Sequence, residues 1–143
     1  MRPENSIVMS VYPQYAKGIM LGDKDWEIRK SVPDGNPKRA YIYMTASTVK
    51  DRLNPDYVDS GGVVGYARIK NIVKMPTADL WNVVADGSML SFAEYTFYAR
   101  GRKNMVGINL ADPVIFKRPV SMSEFFPDGK IPQSFRWYDD PTL

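Results

Sequence analysis

No cysteine and no histidine occur among the 143 residues. Without cysteine there is no disulfide framework, which fits a reducing compartment, and no thiol nucleophile. Without either residue type a Cys/His zinc site is excluded. The missing histidine also removes every Ser-His-Asp triad. Proton transfer, if the chain is an enzyme, must run through Lys, Glu, Asp, Tyr or water. An oxygen-ligated magnesium site stays open chemically, but no run of carboxylates suggests one, and no cofactor is expected. Long apolar runs are missing too, so no membrane-spanning helix is expected. The polar start, residues 1–6, lacks a signal-peptide core. The expected location is the cytoplasm, with no membrane partner.

What is present describes an ordinary folded chain. Hydrophobic residues make up 44% and charged residues 24%, which argues against disorder. A chain of this length buries roughly two thirds of its unfolded surface and needs no staples. One domain over 1–143 is expected, with 127–143 as a tail packed on the body. The net charge of +3 permits a nucleic-acid partner without demanding one.

The pattern along the chain alternates strands with short helices. Ser6 to Tyr12 is rich in β-formers. Pro13 opens a helix to Leu21, and Gly22 stops it. Asp25 to Lys30 and Ala40 to Thr45 read as strands, and Val63 to Val73 as a long one. Residues 46–59 stay ambiguous, with a break at Asn54-Pro55. Thr77 to Val84 is a helix. Ser91 and Glu94 form a capping box for another, running to about Ala99. Lys103 to Leu110 and Val114 to Lys117 read as two strands turned at Ala111-Asp112-Pro113. Ser121 to Phe126 reads as a short helix with its own capping box through Glu124. Trp81 and Phe92 are assigned to the core. Such a pattern predicts an α+β domain around a mixed, curved sheet of about five to seven strands with flanking short helices. Periodicity does not separate a barrel from an open sheet.

Gly22-x-Lys24-x-x-Glu27-x-Arg29 matches G-x-K-x-x-E-x-R, the signature of the ASCH family, at every specified residue. Later segments resemble that family in order: Tyr41 to Thr45, Gly61 to Gly65, Leu80-Trp81, Phe92, Tyr98 to Gly101, and Ile131 to Arg136 with its Pro-Gln-Ser. The resemblance covers nearly the whole chain. It implies a PUA-like β-barrel with flanking helices and a cleft lined by the motif, and it implies RNA or a modified nucleotide as partner. Some bacterial relatives in the family are small amidohydrolases that deacylate acetylcytidine, using a Lys, a Thr and a Glu. Lys24 matches that Lys. Glu27 stands where the Thr belongs, so the hydroxyl nucleophile is missing. The family Glu falls near Asp86-Gly87-Ser88 and has no secure counterpart. A metal-independent ribonuclease is the other enzymatic alternative.

Strand alternation puts Asp25, Glu27 and Arg29 on one face and Trp26, Ile28 and Lys30 on the other. Lys24 then falls on the wrong face to meet Glu27 directly, but reaches the cleft if it belongs to the loop ahead of the strand. The plainest reading of these charges is a solvated face with ion pairs worth about 0–1 kcal/mol. The functional reading is a ligand cleft of Lys24, Trp26, Glu27, Arg29, Tyr43, Thr45, Tyr98 and Arg100, with Lys24 and Glu27 as the catalytic candidates should there be catalysis. Lys and Arg suit phosphate, Glu suits a base amino group, and the aromatics offer stacking faces.

Overall fold

The structure is a computed structural model that describes residues 5–31, 34–45 and 61–143. The ambiguous stretch 46–59 lies outside the described residues. Strand β1 is Ser6–Val11, helix α1 Pro13–Leu21, β2 Trp26–Arg29, β3 Arg39–Met44 and β4 Gly62–Pro76. Helix α2 is Thr77–Val84, α3 Phe92–Tyr98, β5 Asn104–Val120 and β6 Phe135–Tyr138. No described helix is long and apolar enough to cross a membrane.

Six strands form one sheet in the order β2-β5-β4-β3-β1-β6. β1 and β3 run parallel, and the other pairs are antiparallel. The sheet is therefore mixed, as expected. It is not closed into a complete barrel, because β2 and β6 stand at opposite ends of the pairing order. β1 lies between β3 and β6, so it is no exposed edge.

Central strands have cover on both faces, and alternation sorts their side chains. Ile7 and Met9 of β1 join Ala40 and Ile42 of β3 under α1, where Ala16, Ile19 and Met20 pack. Val8, Tyr41 and Tyr43 point the other way, into a cluster with Val63, Met122 and Phe126. A third cluster holds α2 and α3 against the sheet through Leu80, Val84, Tyr95, Met105 and Ile28. Each such aliphatic side chain contributes about 1.5–3 kcal/mol on burial.

Three sequence expectations need correction. β5 is one strand, not two, and the supposed turn at Ala111-Asp112-Pro113 lies within it. Asp112 takes a left-handed φ of 52°, and the pairing with β4 shifts register nearby. The local turn chemistry thus bends a continuous strand as a bulge does. At 121–126 only a single 3-10 turn forms, Met122–Glu124, and the Ser121 hydroxyl accepts from Ser123 N. Phe92 is not core: it is 63% exposed, while Trp81 stacks on Tyr95 with ring centroids 5.0 Å apart. The capping box at Ser91 does form, with Ser91 N to Glu94 Oε1 at 2.8 Å.

Candidate functional site

The stop of α1 builds the site. Gly22 takes φ 83°, a conformation glycine adopts without a Cβ penalty. The chain reverses, and Asp23 N and Lys24 N both donate to Gly18 O, at 2.8 and 3.0 Å. This turn sends the Lys24 side chain inward from the loop rather than from the strand. Its Nζ donates to Trp26 O at 2.9 Å and to Ser88 O, and lies 3.4 Å from Glu27 Oε1. Three acceptors match the three protons of an ammonium. Burial pulls the Lys24 pKa down most strongly, Glu27 pushes it back, and the net shift is downward. The three acceptors oppose that shift, since each favours the charged ammonium.

Glu27 is buried and occupied on both oxygens. Oε1 faces Lys24, and Oε2 accepts from Arg29 Nε at 2.8 Å and lies 2.6 Å from its Nη2. Arg29 then spans the open seam of the sheet. Nη2 donates to Ser10 O of β1 at 2.8 Å. Nη1 reaches Ser134 O at 3.2 Å and Ser134 Oγ at 3.3 Å, just ahead of β6. One guanidinium fork thus ties β2 to the far end of the sheet where backbone pairing is missing. The three charged residues act as a strut across the gap.

Above this strut lies a cleft of about 1050 Å³. Tyr12 and Tyr15 of α1's start form one wall, and Glu94, Phe97 and Tyr98 of α3 another. Thr45, Gln133 and Ser134 line the polar end. Burial and then Glu94 raise the Tyr15 pKa, and burial raises that of Tyr98, so both phenols keep their protons and can donate. Hydrogen bonds at the capping box hold Glu94 ionised. Lys24, Arg29 and Lys30 face Glu27 and Glu94 among the lining residues, which leaves a small positive excess. No group of three or more Asp or Glu among the described residues is arranged to hold a metal ion.

Of the residues singled out in the sequence, Lys24, Glu27, Arg29, Thr45 and Tyr98 line this cleft. Tyr43 is buried in the cluster on the opposite face of β3. Trp26 packs over Gly107 and lines a smaller hollow of about 270 Å³ with Asp25, Asp86 and Gly87. Arg100 is exposed and sits over the Phe97 ring, 3.9 Å from its centroid. Tyr12, Tyr15, Lys30, Glu94 and Phe97 also line the cleft, and none of them belongs to the Gly22 to Arg29 motif. An aromatic pair ahead of Arg100, Arg102 and Lys103 was the signal for the last of them.

No family model matches the chain. Two kinds of relative do. Solved structures of ZmASCH from Zymomonas mobilis superpose with TM-scores of 0.77 and 0.71. The first is 25% identical and covers 94% of this chain and 88% of that one. The second, a tyrosine-to-phenylalanine variant, is 24% identical and covers 93% and 89%. The chain has the fold of an ASCH domain. A Zymomonas mobilis protein named ASCH domain-containing ribonuclease is 29% identical over 136 residues, 91% of this chain and 82% of that protein. The ASCH resemblance therefore extends from the Gly22 to Arg29 signature across nearly the whole chain.

Proposed function

We propose that this ASCH domain binds a segment of RNA in the cleft above Lys24, Glu27 and Arg29. The observation that carries the reading is the buried charged strut at the floor of an open cleft walled by tyrosines. Its two cations and one carboxylate leave a positive floor for a phosphate, and low local dielectric strengthens that attraction. Tyr12 and Tyr15 offer ring faces and hydroxyl donors to a nucleotide above it. A relative whose name is that of a ribonuclease supports RNA as the ligand class.

The same name favours a second reading, cleavage of the bound phosphodiester. Glu27 suits a positioning role in that reaction, because both of its oxygens are already held. Lys24 would stabilise charge on the phosphate. Deacylation of an acylated nucleoside has less support. No hydroxyl stands at position 27, and Glu27 is not free to replace it.

A labelled single-stranded RNA titrated with the protein and followed by anisotropy tests the proposal, with chromatography of the RNA and of acetylcytidine afterwards. We expect salt-sensitive binding, and no release of acetate. Lys24→Met refills the volume without the charge and should weaken binding about tenfold, or 1.4 kcal/mol. A thermal melt of the variant must remain cooperative for the comparison to count. No RNA binding by the unaltered protein at low salt overturns the proposal, and RNA shortened over time supports the second reading.

A further inference from the structure

We propose that the cleft continues outward as a track for single-stranded RNA along its α3 rim, where Phe97 and Tyr98 stack on unpaired bases and Lys30, Arg100 and Arg102 hold phosphates. The inference rests on the RNA reading of the cleft and adds a second set of contacts, on the rim, for a longer strand.

Three features of the rim point to it. The first is an exposed aromatic pair at the end of α3. Phe97 is 68% exposed and Tyr98 36% exposed, and both border the cleft. A phenylalanine left this open gains little from its own fold.

The second is how the cations are held. Arg100 lies over the Phe97 ring at 3.9 Å and donates to Phe97 O at 2.9 Å. Lys30 Nζ lies 5.0 Å from the Tyr98 ring centroid. Arg102 donates to Lys30 O at 2.8 Å. Four arginines elsewhere are matched to carboxylates: Arg29 to Glu27, Arg39 to Asp140, Arg68 to Asp112 and Arg136 to Asp128. Among the described residues, Lys30, Arg100 and Arg102 have no carboxylate within ion-pair distance. Their charge is held in place by rings and carbonyls and left uncancelled.

The third is continuity with the cleft. Gly101 takes φ 76° and reverses the chain after α3. Pairing of Arg29 with Val106 in the β2–β5 ladder brings the end of β2 beside this reversal. The rim therefore starts where Arg29 ends.

Aromatic faces interleaved with cations match a single strand, whose bases are free to stack and whose phosphates follow at regular spacing. A duplex hides those faces, and A-form RNA is read through its minor groove and backbone instead.

The test compares a mononucleotide, a single strand of about eight nucleotides, within the usual range of single-strand site sizes, and a duplex of the same sequence. The single strand should bind at least tenfold tighter than either of the others. Phe97→Ala should weaken the single strand by about fivefold or more, the loss of one stacked base. The double variant Arg100→Ala/Arg102→Ala should weaken the single strand at least fivefold more than the mononucleotide. It should also flatten the log–log salt dependence by about 1.4, at about 0.7 per phosphate contact on single strands. These residues are exposed, so the variants should fold. A mononucleotide that binds as well as the longer strand overturns the track and leaves the cleft reading standing. Failure of every RNA to bind overturns both. Duplex binding equal to the single strand overturns the stacking assignment.

Discussion

Glu27→Ala is expected to be the most damaging single substitution at the site, costing about 3–5 kcal/mol of stability, the usual loss when one partner of a buried ion pair is removed. Glu27 is the only carboxylate of the strut, and it compensates Lys24 and Arg29 together. Without it two cations face each other at the open seam of the sheet. The damage should spread beyond the cleft, because Arg29 also holds Ser10 and Ser134. Glu27→Gln keeps the shape and one acceptor and should lose less. Chemical denaturation of both variants checks this. A loss below about 1 kcal/mol for Glu27→Ala, the range of exposed pairs, would mean that the three charges are a solvated face and not a strut.

Asp140→Ala should follow, at about 3 kcal/mol, from the loss of hydrogen bonds to a buried charged group. Asp140 is 2% exposed. Its Oδ2 accepts from Tyr41 and, at 3.1 Å, from Arg39 Nη1, while Oδ1 accepts from Thr142 N at 2.9 Å and Thr142 Oγ1 at 2.7 Å. Asn5 bonds its backbone at both ends, at 2.8 and 3.0 Å. This knot fastens the segment after β6 to β1 and β3. Burial works against the Asp140 charge, but bonds from Tyr41, Thr142 and Arg39 outweigh it and lower the pKa. Burial first, and then the Asp140 bond, push Tyr41 up to about 12, so the shared proton stays on the phenol. A depressed carboxyl stabilises the fold fully above its unfolded pKa of about 3.9 and loses that contribution as pH falls through its folded value. Stability should therefore drop below about pH 4 in the unaltered protein. Asp140→Asn should be less stable at neutral pH and show a shallower acid drop. Parallel acid profiles for the two proteins would contradict the assignment.

Punctuation by single residues was the most readable part of the fold. Pro13 and Gly22 bound α1 because one presets a helical φ and the other allows a left-handed stop. Ser91 caps α3 by a bond made within four residues. Asp112-Pro113 misled for the same reason: its local chemistry is that of a turn, but long-range pairing with β4 keeps the chain extended. Tyr43 shows another limit. Alternation tells which residues share a face, but not that both faces of β3 are covered.

The candidate site divides along the same line. Lys24, Glu27 and Arg29 lie within six residues and could be read together as a motif. Only the reversal at Gly22 explains how Lys24 meets Glu27 from outside the strand. The rim joins residue 30 to residues 97–102 through the β2–β5 ladder, and no spacing in the sequence reveals that. The aromatic content gave no guide either, since rings fill the Tyr41, Tyr66, Phe125 and Tyr138 cluster as readily as the cleft.

Photo-crosslinking of a single-stranded RNA, followed by mapping of the modified peptides, tests the central claim most directly. RNA seated over Lys24, Glu27 and Arg29 should mark the peptides that carry Tyr12 and Tyr15 and those that carry Phe97 and Tyr98. Excess unlabelled RNA should compete the adducts away. Competable adducts confined to the Trp26 hollow, or to the surface around Arg68 and Ile115, would contradict it.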